Sequence, residues 1–255
     1  MKKICLLLTF CVGMTFVGNS QDGTTDDLGV RFGVVITPGL SWLKSAKTGQ
    51  SSDGTSLSFA YGLQLEFPFS AHVSLVTGLS QANYSGSIKY DTEVNYTYTP
   101  VKDGAVQPEV TSLITDRTYV FRSIAVPLKL KLKTPEIGYF TYFLGVGVIG
   151  NINFDTYTKK NNVETAAGTA ELSDDLAEID ADNETAWYRA GSVFELGFEY
   201  TFVGSTSLVV SLLWENAFTN ILNKKPGSLT YNSTGLPFEQ SAKVDNIGIS
   251  IGVLF

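Results

Sequence analysis

The last twelve residues, Val244 to Phe255, constrain the fold more than any other stretch. Ile247, Ile249, Ile251, Val253 and Phe255 fall on one face of an extended segment, and Asn246, Gly248, Ser250 and Gly252 fall on the other. Strand side chains alternate between two faces, so this reads as a strand that is apolar on one whole side. In a soluble sandwich such a face needs a second sheet to cover it; in a transmembrane barrel the lipid covers it.

The N-terminus agrees. Lys2 and Lys3 precede an apolar run from Ile4 to Val17, then Gly18-Asn19-Ser20. This is the pattern of a secretory signal peptide, residues 1–20, with cleavage expected after Ser20. The run is shorter than the roughly 20 residues of a membrane-crossing helix. Lipid attachment at Cys11 is disfavoured by the large Phe10 before it. Cys5 and Cys11 are the only cysteines, so residues 21–255 hold no disulfide or thiolate site. Removing two lysines and no acid takes the net charge from −7 to −9. An acidic chain of this kind is not expected to bind nucleic acid. Residues 21–255 are expected to form one domain.

Eight alternating segments follow: Arg31 to Leu40, Ser56 to Phe69, His72 to Tyr84, Tyr119 to Lys133, Tyr139 to Phe154, Trp187 to Phe202, Leu208 to Glu215, and Val244 to Phe255. In the second, Phe59, Tyr61, Leu63, Leu65, Phe67 and Phe69 alternate with Ala60, Gly62, Gln64 and Glu66, a clear period of two. Tight turns near Ser70, Pro135 and Gly204 alternate with long links at Leu43 to Thr55, Ser85 to Thr118, Asp155 to Ala186 and Asn220 to Ala242. Short turns on one side and long loops on the other are the signature of an up-and-down membrane barrel, with both termini at the periplasmic side. Aromatics sort by end as interfacial girdles do. Phe67, Phe69, Phe140, Tyr142, Tyr200, Phe202 and Phe255 lie near the turns, and Trp42, Tyr84, Tyr119, Phe121, Phe154, Trp187 and Trp214 near the loops. The expected fold is all-β: an eight-stranded antiparallel transmembrane β-barrel in the outer membrane. A lipocalin-like soluble barrel is the alternative.

The strand count, the signal, the terminal Phe255 and the Val126-Pro127-Leu128 step resemble the PorT-like outer-membrane β-barrel family of Bacteroidetes, on a plan similar to OmpX-type barrels. The resemblance spans residues 21–255 and rests on pattern. It implies the barrel fold, contact with outer-membrane lipid and lipopolysaccharide, insertion by the barrel-assembly machinery with Phe255 as the C-terminal signal, and a role in protein secretion. Pro127 lacks an N–H in a wall that has no edge, so a bulge is expected there.

The inward face carries Arg31, Lys129 and Lys131 against Glu66, Glu195, Glu199 and Glu215. An eight-stranded barrel is just wide enough for side chains to fill it, so these charges must pair. They are expected to form a lumen ion-pair network that closes the barrel rather than a proton or ion path. His72 with Ser74 is the one arrangement suited to acid–base or nucleophilic work, but it sits by a turn and reads as interfacial. In the link 155–186, Ser173 to Ile179 is expected to form a short helix capped by Ser173. Asp180, Asp182 and Glu184 resemble the start of a calcium loop, yet Thr185 stands where its glycine belongs and no acid closes it at Gly191. Metal binding there is the minor reading, and no cofactor is expected. Tyr90, Tyr96 and Tyr98 offer either a contact surface or an outer rim. The leading expectation is a non-enzymatic envelope protein whose long loops bind a partner. A secretion accessory is second and a lipid-modifying enzyme third.

Overall fold

A computed structural model describes residues 29–45, 47–98, 101–102, 105–106, 110–165, 168–171, 179–203, 206–222 and 226–255. The signal segment 1–20 with its cleavage site, and residues 173–178 of the helix expected over Ser173 to Ile179, lie outside the described residues; Ile179 itself is in a strand, opposite Thr158.

Eight strands form the wall: β1 (Arg31–Ser45), β2 (Ser56–Ser70), β3 (Val73–Tyr98), β4 (Val110–Lys133), β5 (Phe140–Thr165), β6 (Tyr188–Val203), β7 (Thr206–Ala217) and β8 (Ala242–Leu254). Each pairs antiparallel with the next. The ring closes where β8 returns to β1, from Gly33 opposite Leu254 to Ser45 opposite Ala242. The Phe255 and Phe32 backbones add a reciprocal hydrogen-bonded pair at 2.7 and 3.3 Å. Closure removes every edge from the wall, which a sheet in lipid requires.

The outward face is apolar and uncovered: Phe32, Val34, Ile36 and Leu40 of β1, Ile124, Val126, Leu128, Leu130 and Leu132 of β4 and Ile247, Ile249 and Ile251 of β8 are all more than a third exposed. The inward alternates include Glu66, Lys129, Lys131, Glu195 and Glu199, all buried. From Phe32 to Trp42 the strand rises about 33 Å, or about 25 Å along the barrel normal at a 40° tilt, the height of a barrel's lipid band. Inward glycines make the lumen fillable. A Cβ on Gly147 would lie 2.1 Å from the Leu128 carbonyl and 2.7 Å from Lys129 Cα.

Three expectations need correction. Much of the two longest links is wall: β3 continues to Tyr98, β4 begins at Val110 and β5 reaches Thr165. Above the lipid the polarity of the two faces inverts, because the outside is now water, and bulges between β4 and β5 shift which residues point in, so that Ile114 and Arg117 are both buried, as are Thr158 and Asn161. On β3, Ser85, Ser87 and Lys89 face out, while Tyr84, Ile88 and Tyr90 are buried inside. Second, no bulge forms at Pro127. Pairing with β3 is in one register on both sides of it, from Ser80 opposite Ala125 to Thr77 opposite Leu128, so the missing N–H omits a rung without shifting the ladder. The Thr77 hydroxyl donates to the Pro127 carbonyl at 2.8 Å. Third, Tyr84, Tyr119 and Phe121 face inward and are buried, so the loop-end girdle consists of outward Phe154, Trp187, Tyr188, Trp214 and Phe218 together with Trp42.

The loop end is a folded body. Successive segments cover the upper edge of β3: Gln50–Ser52 pairs with Ile88 to Tyr90, and Leu229–Tyr231 with Val94 to Tyr96. Ile179–Asp180 covers Tyr157 and Thr158 of β5. Beneath them Leu43, Ile88, Tyr96, Phe121, Leu229 and Phe238 share one apolar core.

Candidate functional site

The described interior is layered from the turn end to the loop end, and strand parity decides what each layer contains. At the turn end, Glu66 of β2 receives hydrogen bonds from Lys131 at 2.9 Å and Lys133 at 2.8 Å of β4, and Arg31 of β1 lies 3.6 Å away. Glu199 of β6 accepts from Arg31 at 2.7 Å and pairs with Lys131. Glu195 pairs with Lys129 and accepts from the Ser211 hydroxyl at 2.6 Å. Six of the seven candidate lumen residues thus pair at this end, Arg31, Glu66, Lys131 and Glu199 in one network with Lys133, and Lys129 with Glu195 as a second pair. Sequence reading missed Lys133, although it shares the odd parity of Lys129 and Lys131.

The seventh, Glu215 of β7, stands apart with another residue that reading missed, Arg189 of β6, at 3.6 Å. The Arg189 guanidinium lies 4.3 Å over the Tyr84 ring and donates to the Val244 carbonyl at 2.9 Å. Between this layer and the ionic cluster is a cavity of about 60 Å³, lined in part by Gln64, Lys129, Glu215, Asn246 and Ser250. That volume suits about four water molecules.

At the loop end one buried guanidinium gathers the covering segments. Arg117 of β4 donates to Glu184 at 2.7 Å and to Asn161 of β5 at 2.8 Å, and its carbon sits 4.2 Å over the Tyr96 ring. Glu184 also accepts from Tyr119 at 3.1 Å and from Ser228 at 2.6 Å. Tyr90 donates to Gln240 at 3.3 Å. Burial is the main cause that pushes the Tyr90 phenol up to about 12. Tyr90 and Tyr96 are therefore core residues and not a contact surface; the Tyr98 side chain lies outside the described residues.

The acids proposed to begin a calcium loop point in different directions. Asp180 accepts from the Asp182 N–H at 2.8 Å, Asp182 from the Thr156 N–H at 2.7 Å, and Glu184 turns inward to Arg117. Burial raises the Asp182 carboxyl above its ordinary value, partly offset by the Thr156 hydrogen bond. At the other end, His72 is exposed in the turn and Ser74 is buried in the wall, with no hydrogen bond between them among the described residues. The turn-end mouth is an open depression of about 680 Å³ bordered by Arg31, His72, Lys133, Glu136 and Phe255.

A family model described as "Outer membrane protein beta-barrel domain" matches residues 19–223. No curated protein matches the sequence. Among solved structures, the chain is similar to Neisserial surface protein A (10% identity, 89% of this chain and 97% of that one, TM-score 0.42). It is also similar to OprG from Pseudomonas aeruginosa (14% identity, 89% and 94% covered, TM-score 0.44) and to the outer membrane protease OmpT from Escherichia coli (7% identity, 92% and 99% covered, TM-score 0.43). The last corrects the expectation that the chain is not an enzyme: a protease stands among the solved structures it is similar to.

Proposed function

Because the chain belongs to the outer membrane protein beta-barrel domain family, we propose that this outer-membrane barrel uses its loop-end body as a preformed platform for a partner. The observation that carries the reading is the packed core under that body. Leu229 and Phe238 are fully buried, and strands from three different links close over the upper wall. A surface already ordered loses less entropy on binding than mobile loops do. Its exposed carboxylates, Asp53, Asp91, Glu93 and Asp180, favour a basic partner. The lumen charges serve as a plug and pass no ion.

In this reading residues 1–20 are removed after Ser20, both termini are periplasmic, and the loop end faces outward. Residues 21–255 contain no cysteine, so Asp53→Cys provides a unique thiol. A membrane-impermeant maleimide is expected to label it on intact cells; labelling only after lysis would reverse the orientation. Asp91→Lys with Glu93→Lys is expected to abolish crosslinking to the surface partner while the unheated protein keeps its folded gel mobility.

A second reading, a secretion accessory as in the PorT-like family, is favoured by the depression at the turn-end mouth with its mixed charges. If Glu136→Lys abolishes the cellular phenotype and the Asp91/Glu93 reversals leave it intact, this reading replaces the first.

A further inference from the structure

Lys44 of β1 and Lys243 of β8 stand directly opposite each other across the seam that closes the barrel. Their neighbours Leu43, Ala242 and Val244 are fully buried inside, so both lysines point outward, Lys44 exposed and Lys243 half-buried. Opposed residues of an antiparallel pair bring their Cβ atoms within about 5 Å, and like charges there are destabilising. Neither lysine has an ion pair among the described residues. Asp245, two residues along β8 from Lys243, accepts instead from the Ala217 N–H at 3.0 Å and Asn216 at 3.2 Å.

Their height identifies what neutralises them. The last exposed aliphatic pair below them on this seam is Leu40 opposite Ile247, followed by Trp42. Trp214, opposite Ile247 on the other flank of β8, is also exposed. Tryptophans of this kind mark the hydrocarbon boundary. Lys44 lies two residues beyond Trp42, about 5 Å further along the barrel normal, within the headgroup zone.

We infer that Lys44 and Lys243 form a site for a phosphate-bearing lipid headgroup of the surrounding leaflet. The phosphate bridges two ammonium groups and turns a repulsive pair into an attractive one, while the acyl chains lie along Trp42, Leu40 and Ile247. The inference rests on the membrane reading above.

The test uses the purified protein in zwitterionic detergent, with a bisphosphorylated lipid A and its dephosphorylated form as probes and native mass spectrometry as the readout. Lys44→Gln and Lys243→Gln are each expected to weaken retention of the phosphorylated lipid about fivefold. The dephosphorylated lipid is expected to be retained equally by parent and variants, and Lys89→Gln to change nothing. A second readout reverses sign. Without lipid the double glutamine variant is expected to be slightly more heat-resistant than the parent, because repulsion is relieved; with phosphorylated lipid it is expected to be less so.

Equal retention by a double variant with folded mobility would overturn the site and leave the membrane reading standing. Displacement of the lipid by millimolar inorganic phosphate would overturn the lipid as the source. Loss of folded mobility in the parent itself would instead overturn the membrane reading.

Discussion

The turn half and the loop half of the interior solve the same packing problem by opposite means. In the turn half the wall is bathed in lipid, so polarity is directed inward and carboxylates share partners: Glu66 meets Lys131, Lys133 and Arg31, and Glu199 meets Arg31 and Lys131. In the loop half the wall stands in water, polarity is directed outward, and the inside is aromatic and aliphatic around the Arg117–Glu184 ion pair. A network tolerates the loss of one member because the survivors keep partners. An isolated buried pair does not, because its survivor becomes an uncompensated charge.

The largest effect is therefore expected at Glu184. Glu184→Leu strands Arg117 and is expected to cost about 3–5 kcal/mol in urea unfolding of the membrane-inserted protein. Adding Arg117→Leu is expected to recover most of that loss, since two apolar groups replace a buried pair at little cost. Failure of the second change to rescue the first would mean that the hydrogen bonds from Ser228 and Tyr119, rather than charge, hold the body together.

Why the barrel was legible in the sequence while the loop-end body was not follows from the same contrast. Six outward apolar residues on β2 and the alternation of β8 announce themselves because lipid demands an unbroken apolar face. Residues 85–90 keep the period of two, but the face that is apolar changes, and a bulge after Ile114 breaks the period on 110–118. A search for apolar-outward strands stops at Tyr84 and starts at Tyr119. Arg189 and Lys133 were legible by parity alone. Glu184 was not, because a carboxylate in an acidic link reads as solvated until a partner 67 residues away is placed beside it.

A middle-sized effect is expected at alkaline pH in the loop half. Burial favours neutral Tyr90, raising its folded value above the unfolded value near 10. Its contribution is fully present below pH 10 and is lost as pH rises through about 12, by about 2–3 kcal/mol. Tyrosinate absorbance should rise in two stages, exposed phenols first, with proteolysis of the loop end accompanying the second. Complete titration near pH 10 without loop-end cleavage would remove the distinction drawn between the halves.

The smallest effects sharpen it. Glu199→Leu leaves Lys131 and Arg31 with Glu66, so the expected cost is about 2 kcal/mol, that of lost charged hydrogen bonds. Phe198→Leu on the lipid face is expected to cost under about 1 kcal/mol. A loss at Glu199 as large as that at Glu184 would show that the lower cluster has no redundancy.

The placement of Leu229–Tyr231 and Phe238 has a kinetic consequence. The segment that lies on β3 leads directly into β8, which begins at Ala242. The chain that zips the seam therefore also carries the lid, and the body above the membrane acquires its last wall only as the ring shuts. Closure of the ring and seating of the lid are then expected to be coupled. Parting the loop end of the β1–β8 seam is expected to disturb the lid on β3 as well, so contacts in the water-facing half add to the longevity of a ring closed in the membrane.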